Sequence, residues 1–361
     1  MGNGKRYTDE EETKSGNAKI ILLFVIITSV LLTTAMMRNS GKDNKVKNVQ
    51  TEENTKIAMT LNGDDTVYVY KNDEYKDLGV TAVNENNEDE SKNIEIKSNV
   101  DTSKSGEYSV QYVDKTNKDN VLERKVIVRK SALLKDGEKS KSKLPVLMYH
   151  YFYDKSKGET GKNANWMEVT KFEEQLKYLK DNKYYFPTWE EVEDFVDGKI
   201  DIPKKSVVIT MDDGHKSLYK YAIPLLDKYK VRGTAFIITK KFNTKNLEKY
   251  KDSMIDFQSH TDNMHRAGGN IGHGGIFPVM SVKEGVKDLE TSIKKLGGKK
   301  DALAYPYGDN NERTKEIVKK AGFRVAFTTV YGKVEPGMDK LILPRVRISA
   351  GISLNGFKNS L

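Results

Sequence analysis

Apolar and polar positions alternate with a period of two in the first half of the chain. Between residues 56 and 130, short segments rich in Val, Ile and Tyr, at residues 67–70, 94–96, 108–112 and 126–128, are separated by turn-forming clusters. Alternation of this kind places one face of each strand in a core and the other in solvent. The pattern predicts a small antiparallel β-sandwich over residues 56–130.

From residue 144 to residue 361 the pattern changes to apolar strand-like runs separated by amphipathic helical segments. The predicted strands are residues 145–151, 207–211, 234–238, 256–259, 303–305, 325–328 and 341–343. Three of the intervening helices are predicted to begin with a capping box, formed by Thr170 with Glu173, Thr188 with Glu191, and Ser281 with Glu284. Alternating strands and helices predict an α/β domain with a parallel sheet or barrel, whose active groups lie at the carboxyl ends of the strands.

The N-terminal region carries an uncharged apolar run at residues 20–37, which is long enough to cross a membrane as one helix if Lys19 and Arg38 reach the interfaces. A cleavable signal peptide is the alternative, but its apolar part is shorter and residues 34–37 form a poor cleavage site. We expect a cytoplasmic segment at residues 1–19, an anchor at 20–37 and a polar stalk at 38–55. A second polar segment, residues 131–143, is predicted to be a linker.

Composition restricts the chemistry that these domains can use. The formal net charge is +9, but Lys and Arg are dispersed and not interleaved with aromatic residues, so we expect no nucleic-acid partner. A basic balance suits anionic wall polymers or lipid headgroups, and an ordinary solvated surface explains it equally well. The chain has no cysteine, which excludes disulfides, thiolate catalysis and cysteine-bound zinc. Any metal must therefore bind to histidines and carboxylates.

Two adjacent carboxylates, Asp212 and Asp213, follow the predicted strand at residues 207–211 and precede Gly214. Consecutive side chains of a strand point to opposite faces, so these two share a site only if the strand ends or twists there, which Gly214 permits. Adjacent carboxylates repel each other unless a cation or a proton lies between them. The alternative is an ordinary turn in which one aspartate caps the next helix.

Two histidines, His260 and His265, follow the predicted strand at residues 256–259. Two imidazoles and one carboxylate leave coordination positions open, which is typical of a catalytic metal site. Residues five apart do not share a helix face, so one of the histidines must lie on irregular backbone. The alternative is a pair of histidines at the rim of a cleft. A third strand ends in Pro306, Tyr307 and Gly308, a corner that could direct a backbone N–H into the site.

Four segments, TMDDG (210–214), SHTDNMH (259–265), YPYG (305–308) and LPRVRI (343–348), together resemble the polysaccharide deacetylases of carbohydrate esterase family four. The resemblance covers about residues 144–350 and implies a distorted (β/α) barrel. It implies that Asp212 is the general base and that the metal ligands are Asp213, His260 and His265. It also implies that the Tyr307 N–H binds the oxyanion. The implied cofactor is a divalent metal, with zinc expected first and cobalt, nickel or another divalent ion as alternatives.

The sequence departs from the common family pattern at the wider histidine spacing, at a missing Arg before the Pro-aromatic corner, and at a missing C-terminal Leu-x-His. These departures resemble the branch that deacetylates poly-β-1,6-N-acetylglucosamine, in which a Tyr-His near the domain start supplies the acid. The segment PVLMYHYF (145–152) supplies His150 for that role. Arg345 is a candidate for the orienting role of the missing Arg, with a structural salt bridge as the alternative.

The expected function is metal-dependent release of acetate from N-acetylglucosamine in poly-N-acetylglucosamine or peptidoglycan, by a single-pass membrane protein with its catalytic domain outside the cell. Residues 74–82 and 101–112 resemble immunoglobulin-like modules of bacterial surface proteins, and we expect this module to act as a spacer. No obligate protein partner is evident.

Two rival functions are considered. A glycosidase using two carboxylates is one rival, although neighbouring residues rarely span the roughly 5 to 9.5 Å that it needs. A surface glycan binder without catalysis is the other rival. His215 is expected at the cleft rim and His273 in a mobile glycine-rich loop.

Overall fold

The computed structural model describes residues 56–361, in which strands and helices follow the order predicted from the sequence. The strands are β1 Ala58–Leu61, β2 Thr66–Lys71, β3 Val80–Val83, β4 Ile94–Ser98, β5 Gly106–Asp114, β6 Val121–Leu133, β7 Val146–Tyr149, β8 Tyr151–Tyr153, β9 Trp166–Glu168, β10 Ile200–Asp201, β11 Val208–Met211, β12 Gly233–Ile237, β13 Ile255–Ser259, β14 Ala302–Ala304, β15 Val325–Tyr331 and β16 Leu343–Arg347. The helices are α1 Val169–Asp181, α2 Trp189–Val196, α3 Ile223–Tyr229, α4 Lys245–Lys249, α5 Val282–Lys295, α6 Glu312–Ala321 and α7 Leu354–Ser360.

Seven parallel strands close into a barrel in the order β11, β12, β13, β14, β15, β16 and β7. Every residue of β11 and β12 is buried, as expected for parallel strands that are covered on both faces. The predicted barrel is therefore confirmed. Its last strand begins at Leu343, where the predicted strand 341–343 ends, because the Asp339 carboxylate accepts the Leu341 N–H and holds the preceding residues in a turn.

The predicted capping boxes are present at α2, with Thr188 and Glu191, and at α5, with Ser281 and Glu284. The box predicted at Thr170 is wrong. Helix α1 begins at Val169, directly after β9, and the Thr170 hydroxyl donates to the Glu168 carboxylate instead of capping the helix. The end of β9 therefore decides where α1 begins.

The N-terminal module contains a sheet in which β4, β5 and β6 pair antiparallel, and a second pair formed by β1 and β3. The prediction of a wholly antiparallel sandwich is wrong in one respect, because β2 runs parallel to β6. The module has its own core, which includes Val110, Tyr112 and Val126. Alternation of apolar and polar residues shows which side chains face the core and which face solvent, but it does not show the direction of a strand. The parallel pairing of β2 with β6 therefore could not be predicted from it.

The module is joined to the barrel domain by hydrogen bonds as well as by the chain. Strand β6 continues through the first three residues of the predicted linker and pairs with β10. The Tyr70 hydroxyl donates to the Asp194 carboxylate at 2.7 Å, and the buried Ser131 hydroxyl donates to Glu191 at 2.6 Å. Residues 56–361 form one unit, so the module is packed on the barrel domain through α2.

Among residues 56–361, no helix has the length and apolar character needed to cross a membrane. The predicted anchor at residues 20–37 and stalk at residues 38–55 lie outside the described residues.

Candidate active site

The two adjacent aspartates lie where β11 leaves the barrel. Asp213 has φ 74° and Gly214 has φ 70°, so the backbone turns in the left-handed region directly after the strand. A Cβ atom at position 214 would come within 2.7 Å of the Ile237 side chain, which explains the glycine. The turn brings Asp212 and Asp213 to the same region, as their sequence position predicts.

Asp212 forms a two-pronged ion pair with Arg345 of β16. The guanidinium nitrogens lie 2.8 and 2.7 Å from the two carboxylate oxygens, and the side chains are 3% and 0% exposed. The same guanidinium also donates to Thr210 Oγ1 and to the Thr328 carbonyl. Burial acts to raise the pKa of Asp212, but Arg345, with smaller contributions from His260 and His150, outweighs it and holds that pKa below its usual value. Asp212 is therefore held as a carboxylate in a fixed orientation.

Asp213 faces the two predicted metal-binding histidines. Its Oδ1 atom lies 3.5 Å from His260 Nε2 and 3.3 Å from His265 Nε2, and the three ligand atoms lie within 4.8 Å of one another. Oδ1 is buried without a hydrogen-bond donor, whereas Oδ2 accepts the Tyr151 hydroxyl. A buried carboxylate oxygen without a partner is costly. A divalent cation between the three groups would remove that cost, so these residues fit a metal ion.

The wide spacing of the histidines is accommodated by a braced loop. His260 Nδ1 hydrogen-bonds to the Ala304 carbonyl at 2.7 Å, which leaves Nε2 towards Asp213. Thr261 has φ 69°, and the Asp288 carboxylate of α5 accepts the N–H groups of Asp262 at 2.7 Å and Asn263 at 2.9 Å. This irregular backbone, predicted from the spacing, places both imidazoles on one side of Asp213.

Tyr307 lies beside the histidines at the end of β14. Its φ of 60° is left-handed, and its ring centroid is 4.4 Å from that of His265. A Cβ atom at Gly308 would approach Thr329 Oγ1 to 2.1 Å, so only glycine fits after Tyr307. The predicted corner therefore borders the site.

His150 occupies the break between β7 and β8, which the sequence pattern had predicted as one strand, and is half-buried close to the charges of Asp212, Asp213 and Arg345. Burial lowers the pKa of His150, and the two carboxylates partly oppose this shift. All seven predicted site residues are thus gathered at one end of the barrel.

The two remaining histidines lie around this group. His215 lines a cleft that also borders Asp213 and His265, and its Nδ1 atom hydrogen-bonds to Ser217 Oγ at 2.9 Å. The His273 side chain is 71% exposed. The backbone N–H of His273 donates to the Asp309 carboxylate, which also accepts the Gly275 N–H at 3.0 Å. The glycine-rich loop is therefore bound to Asp309, near the Tyr307 corner.

Sequence reasoning missed three residues that support the site: Tyr151, Trp166 and Asp288. The Tyr151 ring lies 5.1 Å from both the Trp166 and His215 rings. Tyr151 and Trp166 are paired directly across strands β8 and β9. A tyrosine adjacent to His150 was a signal that could have identified Tyr151. Trp166 and Asp288 are remote in sequence from every motif, and only the fold brings them to the site.

The sequence of the chain is similar to those of known protein families and of characterised proteins. Residues 199–326 match the family described as polysaccharide deacetylase, and residues 59–128 match the bacterial surface protein, Ig-like domain. Over 217 residues the chain is 33% identical to a poly-beta-1,6-N-acetyl-D-glucosamine N-deacetylase of Staphylococcus aureus, covering 55% of this chain and 72% of that relative. The chain belongs to the polysaccharide deacetylase family. This confirms the resemblance found in the sequence motifs.

Two solved structures have a fold similar to that of the barrel domain. The deacetylase PplD of Streptococcus pyogenes, solved in complex with acetate, is 26% identical and superposes with a TM-score of 0.53 over 60% of this chain and 97% of its own. IcaB from Ammonifex degensii is 25% identical, with a TM-score of 0.51 over 61% of this chain and 95% of its own. This polysaccharide deacetylase therefore shares its barrel domain with both proteins.

Proposed function

We propose that this protein is a metal-dependent N-deacetylase that hydrolyses the acetamide of N-acetylglucosamine residues in a surface polymer, with poly-β-1,6-N-acetylglucosamine as the favoured substrate. The observation that carries the proposal is the buried, unpartnered Asp213 Oδ1 facing two imidazoles, beside a second carboxylate held by Arg345. The similarity to the Staphylococcus aureus enzyme supports the choice of polymer.

Asp213, His260 and His265 would hold the metal. A divalent ion bound there would acidify the attacking water and polarise the acetyl carbonyl. Two histidines and one carboxylate suit zinc best among common catalytic metals, and cobalt and nickel accept the same ligands.

Asp212, Tyr307 and His150 carry out the remaining steps of the proposed reaction. Asp212 accepts the proton of the attacking water, because Arg345 keeps it ionised and directed. The backbone N–H of Tyr307 stabilises the oxyanion of the tetrahedral intermediate. His150 donates a proton to the sugar nitrogen as the C–N bond breaks, so the products are acetate and a free amine.

The geometry disfavours the rival functions. A glycosidase needs two separated carboxylates that act on opposite sides of a bond. Here Asp212 is paired with Arg345, while Asp213 faces two histidines. A surface glycan binder would gain nothing from a buried carboxylate oxygen without a partner, which costs stability unless a ligand fills the site.

The substrate assignment is tested by measuring acetate released from purified poly-β-1,6-N-acetylglucosamine and from purified peptidoglycan by the zinc-loaded protein. The proposal expects faster release from the first polymer. His273→Ala, which changes an exposed histidine that is not a proposed metal ligand, should behave like the wild type and serves as the matched control. Release from neither polymer would contradict the proposed activity, and faster release from peptidoglycan would contradict the favoured substrate.

Tyr151→Phe is expected to weaken metal binding about tenfold to a hundredfold, because the Tyr151 hydroxyl holds the second oxygen of a metal-binding carboxylate. The ring would keep its packing against Trp166, so the melting temperature should change little. The measurement is a metal titration of both proteins. Tyr153→Phe, in the same strand, is the control and should bind metal normally. Equal affinity of Tyr151→Phe and the wild type would remove Tyr151 from the metal site.

The proposal also places the enzyme at the outer cell surface, anchored by the predicted helix at residues 20–37. It rests on the match of residues 59–128 to a bacterial surface module. Protease treatment of intact cells tests this placement, since only an outward domain would be degraded.

A further inference from the structure

A cleft of about 430 Å³ runs from the proposed metal ligands Asp213 and His265 to the segment between β12 and α4. Its far part, on that segment and the neighbouring aromatic residue, is lined by Tyr219, Lys241, Phe242, Asn243 and Asn246. The volume lies within the range of about 300 to 1,000 Å³ typical of small-molecule sites. An acetyl group alone would leave most of this space empty, so the far part has room for another portion of the substrate.

The far part of the cleft offers the mixture of groups that suits a sugar ring. Phe242 is packed against Phe257 with ring centroids 5.5 Å apart, and Tyr219 against Tyr250 at 5.9 Å, so both aromatic walls are supported from behind. The carboxamides of Asn243 and Asn246 provide donors and acceptors for hydroxyl and acetamido groups. Apolar walls with a few polar groups are typical of ligand sites.

The charge of this region is unbalanced. Lys241 is exposed and forms no salt bridge with any residue between 56 and 361. Within that described part of the chain, the only carboxylate lining the cleft is Asp213, which faces the histidines at the other end. Of the residues between 56 and 361 that line the far part, none supplies an anion opposite Lys241, so a ligand there meets a positive charge.

We propose that the far part of the cleft binds the sugar next to the reacting one, and that Lys241 makes it select an uncharged N-acetylated neighbour over glucosamine. This inference rests on the proposed function. Deacetylation converts a neutral acetamide into an amine that is protonated below its pKa, and two like charges in one cleft repel each other. At the effective dielectric constants near a protein surface, this repulsion lowers the rate about threefold to tenfold. Chains deacetylated at one position then become poorer substrates at the next, so free amines would be spaced apart along the polymer.

The test compares β-1,6-linked N-acetylglucosamine oligomers that are fully acetylated with oligomers carrying one glucosamine beside the target residue. The quantity measured is the ratio of kcat/KM for the two substrates, at a pH below the pKa of the sugar amine. The wild type should favour the acetylated oligomer about threefold to tenfold, and Lys241→Gln should bring the ratio close to one. Lys240→Gln is the matched control, because Lys240 is exposed in the same helical turn but does not line the cleft, and it should keep the wild-type ratio.

If the preference is due to charge, it should disappear in the wild type when the pH is raised above the pKa of the sugar amine, because the amine is then neutral. A ratio that is unchanged in Lys241→Gln would overturn this inference, while acetate release from the fully acetylated oligomer would still support the proposed function. If the zinc-loaded wild type released no acetate from either oligomer, the proposed function would fail, and this inference with it.

Discussion

His150→Ala is expected to lower turnover on N-acetylated polysaccharide about a hundredfold or more, the usual contribution of a general acid. The departing sugar nitrogen is a poor leaving group until it is protonated. His150 lies within the field of Asp212 and Asp213, between two short strands at the end of the barrel. His150 is not one of the proposed metal ligands Asp213, His260 and His265, so its removal should leave metal binding intact.

The measurement is kcat on the polymer, with metal content and melting temperature determined for the same preparations. An aryl acetate, whose leaving group needs no proton, should lose much less rate than the polymer does. This difference separates loss of an acid from general damage to the site. Near-normal turnover of His150→Ala on the polymer would refute the assignment and direct attention to His215, which lines the cleft.

Asp212→Asn is expected to reduce turnover about a hundredfold to ten-thousandfold, because an amide cannot accept the proton of the attacking water. The same change leaves the buried Arg345 guanidinium without its anionic partner. Breaking a buried ion pair from one side costs about 3 to 5 kcal/mol, so the free energy of unfolding should fall as well. Kinetics of acetate release and denaturant unfolding measure the two effects.

The two effects are separated by a double variant, Asp212→Asn with Arg345→Met. Removing the guanidinium as well takes away the unpaired buried charge that Asp212→Asn leaves behind, so part of the lost stability should return. The double variant should therefore be more stable than Asp212→Asn while remaining as inactive. A double variant that recovered turnover together with stability would show that Asp212 serves the fold and not the reaction.

Much of the barrel and its site could be predicted because the signals are local. The run at residues 207–211 is apolar and buried, and it ends in two carboxylates and a glycine, so both the strand and the polar turn follow from the sequence. The five-residue spacing of His260 and His265 required irregular backbone, and Thr261 has left-handed φ. At these positions the local pattern and the tertiary fold favour the same conformation.

Other features depend on contacts between distant residues. Tyr151 reaches Asp213 because β8 pairs with β9, a pairing that nothing in either three-residue segment predicts. Asp288 braces the histidine loop from a helix that follows it in the chain. The Lys- and Ser-rich composition of residues 131–143 indicated a linker, but the buried Ser131 bonds to Glu191 and extends β6 towards the barrel domain.

The most direct test of the metal site is acetate release from poly-β-1,6-N-acetylglucosamine by one preparation before metal removal, after chelation, and after reloading with zinc. Acetate release should stop when the metal is removed and return when zinc is added. The His265→Ala variant should bind zinc more weakly than the His273→Ala control does. Full acetate release by protein shown to contain no metal would exclude a catalytic metal at Asp213, His260 and His265.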